Sequence, residues 1–232
     1  MGKYRGPKVK LVRRLGLLPG LTRKDSKNRK KTPGEHGKII SLRGKRSIRL
    51  SLSDDYREGL LEKQKLRFNY GVSENQLVTY YHQANRSLRS TGEMLLEYLE
   101  NRLDCIVYRL GFAPTIPAAR QMINHRHILV NQKTVNIPSF QCKTNDSISF
   151  TQNIPSTKFI QFYFETQQQK RKLIQRRMQR VRLKRSRFHS LLPNHLEIQN
   201  EKEIIGKLIG SVTKKDVLVR VNELKVVEFY SR

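Results

Sequence analysis

The segment from Arg102 to Ile137 gathers side chains suited to gripping a polyanion. Arg102 and Arg109 lie on one apolar-patterned stretch, and Arg120, Gln121 and Asn124 lie on the next. His125, Arg126 and His127 form the turn that leads from there into an alternating run. Guanidinium and amide groups collected at one helix-to-strand corner can hydrogen-bond phosphates and the 2′-hydroxyl edges of an RNA minor groove. The same residues also fit an ordinary solvated helix face, and spacing alone leaves both readings open. Other reactive combinations are thinner. His125 and His127 beside Cys142 lack a firm third ligand for a metal, and Glu35-His36, one pair in a Gly-rich basic loop, falls short of a catalytic constellation. No P-loop, dinucleotide fingerprint or nucleophile elbow is present. Phe162, Tyr163 and Phe164 could stack on bases, although core packing is the simpler use.

Charge supports the polyanion reading through its distribution. The chain of 232 residues carries a formal net charge of +28. Residues 1–50 hold 17 Lys or Arg against Asp25 and Glu35, and residues 166–190 hold ten against no acid. The sequence between and beyond these blocks is close to neutral. Two dense cationic blocks flanking balanced, apolar-patterned sequence imply an ordered body with two arms for a polyanion, and nucleic acid leads. An anionic membrane surface comes second, because a membrane helix wants a bulky apolar face and residues 166–190 offer only scattered Leu173, Ile174, Met178, Val181, Leu183 and Phe188. No run of 18 apolar residues exists to span a bilayer. Two cysteines, Cys105 and Cys142, exclude a disulfide framework and a four-cysteine zinc site. The opening MGKYRGPKVKLVRRLG has no apolar signal core and does not read as an import signal; in an organelle, the protein would be made there.

The elements that must position these residues follow from capping and period. Residues 1–50, broken by Gly6-Pro7, Pro19-Gly20 and Pro33-Gly34, read as an extended arm with short helical pieces. Ser53-Asp54-Asp55 opens a helix that ends at Tyr70-Gly71. Ser73 with Gln76 forms a capping box for a second, and Ser90 with Glu93 another for a long apolar stripe from Leu95 to Gly111, expected to break near Asn101 and pass from one domain to the next. Thr115-Ile116-Pro117 starts a shorter helix. After His125 the period changes to two: Ile128–Val130, an Asn131-Gln132 turn, then Thr134 to Ile137, a hairpin. Ile148, Phe150 and Phe159 to Phe164 suggest further strands. Residues 166–190 favour helix by composition, and Val217–Arg220 and Val226–Tyr230 are short apolar runs that need a partner surface.

RLDCIVYRLGFAPTIPAARQMINHRHILVNQKTVNIPSF resembles the RNA-binding domain of the S-four family of small-subunit ribosomal proteins. GKYRGPKVKLVRRLG, PGEHG, LSDDYREGLLEKQKLRFNYG, STGEMLLEYLE and NELKVVEFYSR resemble the same family's motifs in the same order, and LLPGLT and NHRHILVN are similar to its plastid branch. The resemblance implies an α+β fold: a mainly helical, discontinuous N-terminal domain completed by a C-terminal strand, and an inserted small α/β RNA-binding domain of two helices and a hairpin or small sheet. The expected domains are a basic rRNA-binding arm over 1–50, a helical domain over 51–101 completed by 191–232, an RNA-binding domain over 102–165, and a basic insertion over 166–190. The implied function is primary binding to the 5′ domain of small-subunit rRNA, nucleation of the subunit body and a contribution to decoding accuracy, with no catalysis and no cofactor. Implied partners are the rRNA, neighbouring small-subunit proteins (the fifth and, functionally, the twelfth) and mRNA near the entry channel, without a membrane. By position, Arg5, Lys8, Lys10, Arg13 and Arg14 belong to the rRNA-bound arm, Lys63, Lys65 and Arg67 to the first long helix, and Arg102, Arg109, Arg120, Gln121, His125, Arg126 and Lys133 to the RNA-binding domain. The implied location is a chloroplast ribosome, with a bacterial cytoplasm as the alternative.

The chain departs from the family pattern in three places. It has no cysteine before Cys105, so the N-terminal zinc cluster of many bacterial members is not expected. Gln132 stands where the family usually has Gly, and the basic block at 166–190 has no counterpart; it is an rRNA anchor or a solvated insertion. Two other functions compete. An RNA-modifying enzyme carrying the same small module would need a catalytic domain that residues 1–101 do not supply, and a general RNA-packaging protein would not need the detailed middle segment.

Overall fold

The computed structural model describes residues 4–24, 33, 52–151, 165–166, 168–169, 173, 192–200 and 205–231. Its helices in chain order are α1 (Lys8–Leu15), α2 (Leu52–Tyr70), α3 (Glu74–Asn85), α4 (Thr91–Glu100), α5 (Leu103–Leu110), α6 (Ile116–Asn124) and α7 (Glu223–Ser231). The strands are β1 (Ile128–Val130), β2 (Lys133–Thr134), β3 (Ser147–Phe150), β4 (Leu196–Asn200) and β5 (Ile205–Leu208). The chain divides into one unit of Met1–Leu95 with Val219–Arg232 and a second of Leu96–Leu218. The expectations for Phe159 to Phe164, for the loop at 34–37 and for nearly all of the basic block at 166–190 lie outside the described residues.

The first unit is helical. Gly71 at φ +61 lets α2 end sharply, and the Val72 amide donates back to the Arg67 carbonyl at 3.1 Å, the return bond of a glycine-terminated helix. The Ser73–Gln76 capping box then starts α3: the Gln76 amide donates to Ser73 Oγ and the Ser73 amide to Gln76 Oε1, both at 3.3 Å. Leu66, Tyr70, Leu77, Tyr81 and Ala84 are buried. Residues 4–24 do not form an extended arm. Val12, Leu15, Leu18 and Leu21 make a buried cluster with Leu61 and Phe68 of α2, and the Gly20 amide donates to Asn69 Oδ1 at 3.0 Å. Apolar residues on one side of a short basic helix outweigh the turn signals around them.

The implied C-terminal strand is instead the helix α7. The two positions its helix period buries are Glu223 and Val226, and it packs along α2, where the Lys225 carbonyl oxygen sits 3.1 Å from the place a Cβ on Gly59 would occupy. Lys63 Nζ lies 4.4 Å from the centre of the Phe229 ring. A strand there would need a sheet edge, and every described strand belongs to the other unit.

The second unit is α+β. The long apolar stripe breaks at Asn101, as its length suggested, so that α4 gives way to α5. Gly111 ends α5 at φ 88° and ψ 18°, and Thr115 Oγ1 accepts the Ala118 amide at the start of α6. The strands form one antiparallel sheet in the order β2-β1-β3-β5-β4. Leu103, Ile106, Val107 and Leu110 from α5 and Ala119 and Ile123 from α6 pack in one core with Ile128, Val130, Ile148, Leu196 and Leu208 from the sheet. Because β5 pairs with β3 and β4 with β5, residues 192–218 belong to this unit rather than completing the helical one, which takes back only Val219–Arg232.

Candidate nucleic-acid interface

Position in the fold separates the seventeen sequence-nominated side chains into structural and available groups. Arg102 and Arg109 are buried, 2% and 6% exposed. Arg102 donates from Nε and Nη2 to Asp104 at 3.0 and 2.9 Å. Arg109 donates from Nε and Nη2 to the two oxygens of Glu100 at 3.0 and 2.9 Å, and Nη2 also meets the Asp216 carbonyl. Arg120, on α6, donates from Nε to Asp104 Oδ2 at 2.6 Å. A buried guanidinium without a partner is strongly unfavourable, so these acids are the condition for burying the arginines. Arg102 and Arg109 therefore hold α5 in place and are withdrawn from the RNA-facing set. The sequence carried a signal for this: Glu100 and Asp104 are set among Leu99, Leu103, Cys105 and Ile106, and acids inside an apolar run point to buried pairing.

The available set surrounds the end of α6 and the first hairpin. Gln121, Asn124, His125, Arg126 and Lys133 are exposed and His127 is half-buried. Backbone bonds fix this corner from two sides. The amides of His125, Arg126 and His127 donate to the carbonyls of Gln121, Ile123 and Met122 at 3.0, 2.9 and 3.1 Å. From the sheet side, Thr151 donates from its amide to the His127 carbonyl and from Oγ1 to the Arg126 carbonyl, both at 3.2 Å. Arg126 is held at φ +61, a conformation that costs a non-glycine residue energy and survives only where the surroundings enforce it. Thr151 was not foreseen, and its place in sequence gives no hint of this role.

The hairpin turn is also left-handed. Asn131 and Gln132 have φ of 49° and 66°, the sign that a two-residue hairpin turn of the primed type requires at both central positions. Asn131 is anchored: Nδ2 donates to Asp146 Oδ1 at 2.8 Å, and Oδ1 accepts the Ser147 amide at 2.9 Å. Gln132 thus adopts the backbone conformation of a glycine without being one.

In the first unit Arg5, Lys8, Lys10 and Arg14 are exposed and Arg13 is half-buried. The three cations of α2 are tied to acids. Lys63 pairs with Glu74 at 2.8 Å, Lys65 pairs with Glu62, and Arg67 approaches Glu74 at 4.0 Å. Burial of Glu74 is outweighed by Lys63, Tyr230 and Arg67, which hold its carboxyl below the usual range. Pairs like these are locally neutral, so α1 offers the stronger positive surface of the two helices.

Metal chemistry finds no support near the imidazoles. Among the described residues no three His, Cys, Asp or Glu side chains gather as a ligand set. Cys142 is buried, and that burial, with Asp146 and Asp104 adding to it, pushes its thiol up to about 12. Cys105 is likewise buried and pushed up. Both thiols are protonated packing groups at neutral pH.

Two family descriptions cover this geometry. "Ribosomal protein S4/S9 N-terminal domain" matches residues 3–100 and "S4 domain" matches residues 101–148. The chain belongs to the ribosomal protein S4 family. It is 45% identical to small ribosomal subunit protein uS4c of Rhodomonas salina and 46% identical to uS4 of Thermosynechococcus vestitus, in each case over 100% of this chain and 99% of the relative. It is 44% identical to uS4c of Cyanophora paradoxa over the whole of both chains. Membership makes this S4 protein a structural component rather than an enzyme that carries a small RNA-binding module. It is a ribosomal protein of plastid or bacterial type, and the S4 domain holds the whole corner from α5 through β2.

Proposed function

We infer that this S4 protein is a structural constituent of the small ribosomal subunit that binds rRNA as a primary protein, at a multi-helix junction of the 5′ domain. The reading rests on one observation: within the S4 domain, Gln121, Asn124, His125 and Arg126 are exposed on a corner whose backbone is fixed from both α6 and the sheet. Preorganised amides, imidazoles and one guanidinium suit a folded RNA, whose shape is read through phosphates and 2′-hydroxyls. Arg5, Lys8, Lys10 and Arg14 along α1 supply a second contact to the phosphate backbone. Lys133 joins the corner, and Arg120 supports it through Asp104. Docking at the junction nucleates the subunit body. Contacts with the fifth and twelfth small-subunit proteins and with mRNA at the entry channel carry a contribution to decoding accuracy. The location is the chloroplast, because two of the relatives above carry the plastid form of the name.

The test is binding of the full chain to the isolated 5′ domain of small-subunit rRNA, against an unstructured RNA of equal length, over a range of salt. Junction RNA should bind more tightly at every salt concentration, with log affinity falling against log salt by about 0.7 to 0.9 per phosphate neutralised. Equal affinity for the two RNAs would refute the reading. Association with small subunits isolated from chloroplasts, rather than from another compartment, tests the location.

A further inference from the structure

We propose that the corner His125-Arg126-His127 is a phosphodiester subsite that takes up a proton as it closes on RNA. The proposal rests on the rRNA-binding reading and specifies how one part of that surface works. Its basis is a pair of imidazoles in a fixed frame. The rings of His125 and His127 are stacked, with centroids 5.8 Å apart and planes 23° from parallel, and the residue between them is an exposed arginine held at φ +61. Five backbone bonds, three to α6 carbonyls and two from Thr151, leave the backbone of this corner no ready alternative arrangement.

The protonation state follows from what surrounds the rings. His127 Nδ1 is buried and has no hydrogen-bond partner among the described residues. Burial, and then His125, hold the His127 imidazole below the usual histidine range, so in the free protein it is neutral at pH 7. Among the described residues, the groups bonded to the corner include no acid: α6 contributes the carbonyls of Gln121, Met122 and Ile123, and Thr151 contributes its amide and hydroxyl. On α6, Arg120 is already engaged with Asp104, and Asp146 near the hairpin is engaged by Asn131. Burial and the facing His125 ring disfavour positive charge on His127 until an anion arrives. A phosphodiester supplies one negative charge and two acceptor oxygens, which reverses that balance and makes protonation favourable. The last carbonyls of α6 also favour positive charge at this end of the helix. Phosphate binding and proton uptake are therefore linked, and each strengthens the other.

The test uses the full chain and the isolated 5′-domain RNA at constant monovalent salt, with affinity measured by fluorescence anisotropy from pH 6 to pH 8. Affinity should fall as pH rises, approaching about tenfold per pH unit where one whole proton is taken up. The double variant His125→Gln, His127→Gln should flatten that slope. Because His127 is half-buried, His125→Gln alone is measured as well; this residue is exposed, and its loss should lower the slope without changing the thermal unfolding temperature. Lys133→Gln, which leaves both imidazoles in place, should weaken binding and keep the slope. An undiminished slope in both histidine variants overturns the proposal, as does a flat profile for the unaltered chain that still selects junction RNA. Abolition of the slope by a chelator also overturns it, since a metal would then be bridging the imidazoles. Failure to select junction RNA at any pH refutes the underlying rRNA reading instead.

Discussion

Arg109→Met separates the structural role of Arg109 from the RNA contact that its place in the sequence suggests. In the native protein the guanidinium makes two bonds to Glu100 and one to the Asp216 carbonyl. Glu100 is fully buried and also accepts the Leu218 amide at 2.9 Å and the Cys105 thiol at 3.2 Å. Methionine fills much of the same volume, so packing is largely kept and the change isolates the charge. It leaves the buried Glu100 carboxylate without its guanidinium partner. Breaking a buried pair from one side costs about 3–5 kcal/mol, a large share of the roughly 5–15 kcal/mol that holds a folded protein together. The double variant Glu100→Gln, Arg109→Met removes the charge mismatch and should recover most of the loss, leaving a deficit under about 2 kcal/mol. Urea unfolding followed by far-ultraviolet circular dichroism measures both, and anisotropy with the 5′-domain RNA measures binding by the folded protein. A single variant that unfolds at the same urea concentration as the unaltered chain, yet binds RNA several-fold more weakly, would refute the argument and return Arg109 to the RNA-facing set.

Gln132→Gly should stabilise the protein by about 0.5–1 kcal/mol, since the relief of a left-handed non-glycine residue exceeds the extra chain entropy of glycine; the urea midpoint reports it, and a lower midpoint would show that the turn favours the side chain. Gly206→Val should destabilise by about 1–3 kcal/mol, because a Cβ at Gly206 would lie 2.3 Å from Leu110 Cδ1 in the core beneath β5; the same titration checks it. His195 is 2% exposed and neither ring nitrogen has a hydrogen-bond partner among the described residues. Burial lowers its protonation below the usual histidine range, so the unfolded chain binds the proton first. Stability should thus be complete above about pH 6.5 and decline as pH falls from there toward the lowered native value. His195→Leu should flatten that part of the decline in unfolding temperature between about pH 6.5 and 5.

How much was legible depended on whether the deciding contact was local. The capping box at Ser73, the break at Asn101, the Thr115 start of α6 and the Asn131 turn all follow from bonds within a few residues, and each is present. The α+β class follows from them. Long-range pairing was hidden. Val226, Val227, Phe229 and Tyr230 have strand-like side chains, but packing along α2 fixes them in a helix, an instance of tertiary context overriding propensity. The strands β4 and β5 were missed because β4 pairs with β5 alone, and β5 joins the sheet through β3, more than fifty residues upstream across a charged block. At the candidate site, the exposed corner consists of residues that the sequence had grouped, whereas the burial of Arg102 and Arg109 against Asp104 and Glu100 shows only in the fold, hinted at by acids set in an apolar run.

The interrupted course of the first unit sets an order of events during synthesis. Helix α2 emerges early, but the helix that covers it, α7, is the last described element of the chain. The inserted unit, Leu96–Leu218, has all its residues available sooner, and Glu100 clasps the Leu218 amide at its closing end. On a ribosome that adds about 5–20 residues each second, every residue of the inserted unit has been added before the first residue of α7. A copy truncated shortly after residue 218 would contain every residue of the inserted unit and none of α7, the helix that covers α2.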